Sequence, residues 1–408
     1  FNTILFLIII FVLTAINLGS PNKPTVSATE KRVLAPMPSF TAKALFSGSY
    51  FRGFEAHFSD TFAFREGMAR AGAGVRELKG VKVGDQADIF VNHNAGIGGQ
   101  EKPSAQTNGD NNNGGQLLGT VLILSDRAME VNKFNPQTTN DYAEAINQLQ
   151  ERLGNTRIYS LLAPTQIEFS APKYRELSYS EQKVINYVNR RLTPTVVPID
   201  AYKALQQHTS EYIFFRTDHH WTALGAYYAY CEFIRAAGAD PIPLNRYKQQ
   251  QKSGFEGSFY NLTLNKALTK NPDTLVYYQP LVNSQFTVYR PEGTKNLQVL
   301  NLENLNTQYK YSVFLGGDHP LGIITTDVKN GKKLAIIKDS YGNAFIPFLL
   351  PHYQEILVID PRYYKDDLGK MIRDHGVQEL LVLDYAIAPR FETYVKSIQE
   401  LTGRTSHL

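Results

Sequence analysis

Beyond residue 117 the apolar positions fall into blocks whose period changes repeatedly, and each block predicts one element. Residues 121–124 form a short apolar run, the mark of a buried strand. Residues 140–153 instead carry Tyr142, Ile146, Leu149 and Leu153 on one helical face, with Gly154 as the stop. The same exchange continues with a strand at 158–162 and a helix over 181–192 bearing Val184, Ile185, Val188 and Leu192. A strand at 196–199 and a helix over 222–237, with Leu224, Tyr227, Cys231 and Ile234 facing inward and Gly238 ending it, follow. Further strands are expected at 334–337, 356–359 and 380–383. Helices are expected at 343–350, with Pro347 in the first turn, and at 368–372. Strands alternating with helices predict an α/β fold whose mostly parallel sheet is covered on both faces.

The pattern also marks what lies outside this alternation. Residues 241–330 turn to Asn, Gln, Thr and Tyr with short β-favouring runs, and read as a β-rich insertion. Residues 1–18 are apolar and uncharged, long enough for a transmembrane anchor or a signal segment. An uncleaved anchor predicts a body on the extracytoplasmic face of a bacterial membrane, and a cleaved segment predicts a secreted one. Residues 19–40, with four prolines, read as a linker, and 41–85 as a helical segment with Phe51, Phe54, Phe58 and Phe62 at helical spacing. The α/β domain then takes 86–408. Within it, 98–116 is rich in Gly and Asn and is expected to be a disordered loop.

Composition narrows the function classes. Lys and Arg number 42 against 38 Asp and Glu, a scattered excess that gives no footprint for nucleic acid. One cysteine, Cys231, excludes an internal disulfide and argues against a thiolate zinc site. The 24 tyrosines and 23 phenylalanines supply sheet and core, and rings that can stack on sugars.

The chemistry concentrates at Asp218, His219, His220 and Trp221, the last being the only tryptophan. One residue separates Asp218 from His220, so in a turning backbone the acid can orient the imidazole. A matching nucleophile is offered by Ser340, between the strand at 334–337 and the next helix, with Gly342 easing the turn. N–H groups at that helix start could hold an oxyanion. Three alternatives stand beside this reading, the first being that Asp218, His219, His220 and Trp221 form a purely structural polar cluster. A strand-Asp-Ser-helix junction is also a plain N-cap. Two imidazoles and a carboxylate are also metal ligands, with Asp318 and His319 available, although the chain has no His-x-His or His-x-x-x-His pair.

The run Thr217-Asp218-His219-His220-Trp221-Thr222-Ala223-Leu224-Gly225-Ala226 resembles the signature of the DHHW family of exported bacterial proteins. That family is similar to the alginate O-acetylation proteins, whose domains resemble SGNH hydrolases in permuted order. The resemblance extends to Phe64-Arg65-Glu66 and to Asp339-Ser340-Tyr341-Gly342-Asn343. It implies a three-layer SGNH-hydrolase-like domain with Ser340 as nucleophile, His220 as base and Asp218 as orienter. Asp339, His219 and Trp221 are implied as support. The chain departs from the wider superfamily in having one residue rather than two between acid and base, and in lacking a clear oxyanion block. Asn343, Gly316 and Gly317 remain as candidates for the oxyanion, and Arg362 and Tyr363 for lining the cleft. The implied activity is O-acetyl transfer to a cell-surface or secreted polysaccharide, with a membrane-bound O-acyltransferase as donor and no cofactor or metal in this chain. An acetyl esterase and a non-catalytic polysaccharide-binding scaffold are the alternatives.

Overall fold

In the computed structural model, the described residues are 35–62, 88–91 and 119–403, with 11–12, 14, 16–17, 19, 26–27 and 32–33. The anchor expected at 1–18 falls mostly outside them, residues 63–85 of the helical segment expected at 41–85 lie outside them, and so does the whole loop expected at 98–116. Among the described residues no helix is long and apolar enough to cross a membrane. Two compact units divide the chain: Phe1–Gly84 with Lys102–Gln116, and Asp85–Glu101 with Leu117–Leu408. The first contributes two helices, Ala42–Phe46 and Ser49–Asp60.

The second unit is built on one eight-stranded sheet: β1 (Arg157–Ala163), β2 (Val197–Pro198), β3 (Ser284–Arg290), β4 (Gly293–Leu297), β5 (Leu321–Thr326), β6 (Lys333–Lys338), β7 (Glu355–Ile359) and β8 (Glu379–Tyr385). The spatial order is β4-β3-β5-β7-β6-β8-β1-β2. The pairs β7–β6, β6–β8, β8–β1 and β1–β2 are parallel, and β5, β3 and β4 close one side antiparallel. The sheet is therefore mixed. Its antiparallel side comes from the region read as a β-rich insertion, so three of those strands extend the main sheet.

Their sequences explain the difference. The central strands are apolar on both faces, Leu334 to Ile337 and Leu380 to Leu383 being fully buried. Each such side chain contributes roughly 1.5–3 kcal/mol on burial. In β3 only Phe286 and Val288 are buried and polar residues alternate with them, the pattern of a sheet margin. This unit also has a three-stranded antiparallel sheet (Asp88–Val91, Thr120–Ile123, Ala128–Val131) and an antiparallel pair of Gln249–Phe255 with Asp273–Tyr278.

Helices form where the pattern placed them, with ends set by caps. Asn135 caps Pro136–Leu153, Ser180 caps Glu181–Asn189 and Thr222 caps Ala223–Ala236. The helix expected at 343–350 is only Gly342–Phe345, continuing as a 3-10 turn over Ile346–Leu349 that contains Pro347. From β6 the chain goes to β7 on one side and then crosses to β8 on the other. The carboxyl end of β6 is thus a topological switch point, where open α/β sheets open a crevice. Ser340 lies two residues beyond it.

Candidate active site

The segment bearing Asp218 and His220 is a tight reversal. Phe214 bridges Trp221, the Phe215 N–H donates to the His220 carbonyl, and the Thr222 N–H to that of Ile213. Buried Asp273 braces the reversal from below. Its carboxylate accepts the N–H groups of Arg216 and Thr217 and the Thr217 hydroxyl at 2.6 Å. The Tyr212 hydroxyl donates to it as well. What is left at the tip is Asp218 to His220, pointing at the end of β6.

There the two segments meet. His220 Nε2 is 2.7 Å from Ser340 Oγ, and His220 Nδ1 is 2.5 Å from Asp218 Oδ1. Asp218 Oδ1 also accepts the His220 N–H, and Oδ2 accepts the Ser258 N–H at 2.8 Å. Burial pushes the Asp218 carboxyl up, but the imidazoles of His220 and His219 and the Ser258 N–H outweigh it and hold the group well below the usual range. The acid is ionised, and its attraction favours an N–H on the Nδ1 side of His220, leaving Nε2 to face the hydroxyl.

The other half of the four-residue motif is structural. His219 Nδ1 is 2.6 Å from Ser258 Oγ, and its carbonyl accepts the Tyr341 hydroxyl. Trp221, fully buried, donates its indole N–H to the Tyr341 carbonyl at 2.9 Å. Both residues tie the reversal to the turn that carries Ser340. Asp218, His219 and His220 also offer one metal-ligating atom each within 4.8 Å of one another. Both nitrogens of His220 are already in hydrogen bonds, so its coordination would have to displace one of them.

The Ser340 turn is fixed by Asp339. Its carboxylate accepts the N–H groups of Tyr341 and Tyr385, each at 2.8 Å, while its own N–H donates to Asp384 at 3.1 Å. Burial and the facing Asp384 push the Asp339 carboxyl well up. Burial also raises Asp384, to about 6, against hydrogen bonds from the Tyr394 and Tyr142 hydroxyls. The expectation that several N–H groups of the following helix could hold an oxyanion is corrected here. Tyr341 donates to Asp339, Gly342 to the Asp339 carbonyl and Asn343 to the Ser340 carbonyl. Among the described residues only the Ser340 N–H of this turn has no acceptor.

The remaining candidates form a separate ionic network. Asp318 accepts from Lys338 at 2.7 Å, Asn343 Nδ2 at 2.9 Å and Arg362 at 2.9 Å, and Arg362 also binds Asp360. Burial would raise Asp318, but Lys338 and Arg362 hold its carboxyl well below the usual range. Arg362 is thereby engaged with carboxylates, and Tyr363 lies under its guanidinium. Asn343 Oδ1 is buried without a partner. Gly316 and Gly317 have positive φ, and the Gly317 N–H donates to the Phe314 carbonyl. His319 bonds Leu315 and Arg290, and burial pulls its imidazole down to about 4. Three contributors carried no local sign in the sequence: Gly257, Ser258 and Tyr311. A Cβ on Gly257 would lie 2.2 Å from that of Asp218, so only glycine lets the segment at 257–258 come so close.

A family model for DHHW proteins matches residues 77–359. The chain belongs to the DHHW family. A DHHW family protein from Eubacterium siraeum is 31% identical, covers 69% of this chain and 94% of its own, and superposes with a TM-score of 0.61. Bacillus cereus PatB1 shares the fold at 21% identity and a TM-score of 0.59, over 67% of this chain and 98% of that one. PatB1 has also been solved with a sulfonyl adduct, at 19% identity and a TM-score of 0.58, over 67% and 97% of the two chains. No curated protein sequence matches. The four letters of the family name are Asp218, His219, His220 and Trp221, two at Ser340 and two bracing the turn behind it.

Proposed function

We propose that this DHHW protein is a serine-dependent O-acyltransferase, moving an acetyl group through Ser340 onto a hydroxyl of a cell-surface or secreted polysaccharide. The observation that carries the reading is the unbroken relay from Ser340 Oγ through His220 to Asp218. In the first half-reaction Ser340 Oγ attacks the acetyl carbonyl carbon and its proton passes to His220 Nε2. For the tetrahedral oxyanion, the Ser340 N–H is the backbone donor this turn leaves available. Collapse expels the donor's leaving group, which takes the proton from Nε2, and leaves an acetyl ester on Ser340. In the second half-reaction His220 removes the proton of a sugar hydroxyl, whose oxygen attacks the ester and releases the Ser340 hydroxyl. Asp218 stays ionised throughout and stabilises the imidazolium.

The place of action we propose is the extracytoplasmic membrane face, reached by an anchor within residues 1–18, with a membrane-bound O-acyltransferase as acetyl donor. The family resemblance of the sequence and the apolar character of that segment support it.

The test is intact-mass spectrometry after exposure to p-nitrophenyl acetate. An adduct of about 42 Da on Ser340, absent in Ser340→Ala and His220→Ala, is expected. A sulfonyl fluoride is a second probe, since PatB1 has been solved with a sulfonyl adduct. Acetyl transfer to oligosaccharides faster than hydrolysis separates the transferase from an esterase. No adduct on the wild-type protein with either reagent would overturn the reading.

A further inference from the structure

His220 is held on two faces. On one, its imidazole meets His219 with ring centres 3.7 Å apart and planes inclined by 39°. On the other lies Tyr311, ring centre 3.7 Å away and planes within 9° of parallel. The Tyr311 hydroxyl donates to the Ser340 carbonyl at 3.1 Å. One buried side chain thus touches the imidazole and the backbone of the serine. Its own ring is pinned edge-on by Phe314, at 5.4 Å, and by Phe215, at 6.3 Å.

The segment carrying Tyr311 is tied down along its length. The Asn304 side chain donates to the Ser312 carbonyl, the Asn301 N–H to that of Val313 and the Leu315 N–H to that of Val299. The chain then passes Leu315, Gly316 and Gly317, all at positive φ, to reach Asp318. The Asp318 carboxylate grips Lys338 and Asn343, on either side of Ser340 in sequence. Leucine in that conformation is strained, and the strain is kept because both ends of the passage are fixed.

We propose that Tyr311 is a positioning residue for acyl transfer: its ring fixes the plane of the His220 imidazole while its hydroxyl fixes the Ser340 backbone, so Nε2 and Oγ stay in line. This rests on the reading of Ser340 as nucleophile and His220 as base. The physical reason is twofold. An imidazole held only along its Asp218 edge can swing about that bond, and an ångström of misplacement costs about a hundredfold in rate. The face of an aromatic ring is also negative, so it stabilises the imidazolium as Ser340 gives up its proton.

The experiment is stopped-flow acylation of Ser340 by p-nitrophenyl acetate in wild type, Tyr311→Phe, Tyr311→Leu and Tyr311→Met, with kcat and KM determined separately. Tyr311→Phe keeps the stack, and its acylation rate should stay within about fivefold of wild type. Tyr311→Leu and Tyr311→Met remove the ring and should lose about 30- to 100-fold in kcat at nearly constant KM. The strongly downfield proton resonance of the imidazole N–H shared with Asp218 should persist in wild type and Tyr311→Phe, and broaden away in the other two. Melting curves show which variants fold, and either aliphatic variant suffices. Equal losses in Phe, Leu and Met, or wild-type acylation in a folded aliphatic variant, would overturn the inference while leaving Ser340 as nucleophile. Absence of acylation in the wild type would overturn the underlying reading as well.

Discussion

Asp218 spends both carboxylate oxygens, one on His220 and one on the Ser258 N–H, and Gly257 touches its Cβ from behind. Removing the charge alone should be severe: Asp218→Asn is expected to lower the acylation rate on the order of 10³- to 10⁴-fold with little change in KM. Gly257→Ala should approach that loss by displacing the acid, although residue 257 faces no substrate. A crystal structure or the imidazole N–H resonance would show Asp218 moved off His220; normal activity in Gly257→Ala would contradict the packing. Asp218, His220 and Ser340 were legible in the sequence because their spacing and their strand-end position are local signals. Gly257, Ser258 and Tyr311 were not. Each acts by approaching the site from a short element, the helix start at Ser258 or the 3-10 turn at Lys310–Val313, and no periodicity records such an approach.

At the scale of elements, the turn after β6 is braced by ions as well as by Asp339. Lys338 and Arg362 share Asp318 and Asp360, Lys338 being 1% and Asp360 0% exposed at the side chain against 16% for Arg362 and 24% for Asp318. Taking one cation away leaves two acids with a single cation. Arg362→Met should destabilise the fold by about 3–5 kcal/mol, read as a lower urea midpoint, before any effect on chemistry is considered. Arg362 and Tyr363 were anticipated as cleft residues from their place after a strand. That position was correct for β7, yet burial turned the guanidinium to carboxylates. The strands at 158–162, 334–337, 356–359 and 380–383 and the helices at 140–153, 181–192 and 222–237 were legible to within a few residues because their apolar periods are strong, while the strand Ala128–Val131 and the helix Ala201–Gln207 were not anticipated. The partnership of β3, β4 and β5 with the central strands was not, because an alternating pattern gives a strand's faces and leaves its neighbour open.

For the molecule as a whole, buried carboxyls set opposite trends with pH. Burial raises Glu181 to about 8 and Glu130 to about 7, both above the ordinary 4.5 of an unfolded glutamate. The folded state holds those protons more tightly. Their stabilisation is complete below about pH 4.5 and is lost as pH rises through 7 to 8. Asp218 and Asp318 are shifted downward, so theirs is present above the ordinary 3.8 and is lost in strong acid. The melting temperature should therefore be highest near pH 5 and fall toward pH 8.5. Glu181→Gln, which can keep both hydrogen bonds with Thr165, should make that fall shallower by a few degrees. An unchanged slope in calorimetry would show that Glu181 is not the group responsible.

The position of β8 has a consequence in time. A chain made from its N-terminus has Asp218, His220 and Ser340 in hand before β8 exists, but β1 and β6 share no edge until β8 slides between them. β8 also brings Asp384 and the Tyr385 N–H that grip Asp339. An unfinished chain thus carries all three reacting groups while the turn bearing Ser340 still lacks the Asp384 and Tyr385 contacts to Asp339, and that turn is completed by the last strand of its sheet to be synthesised.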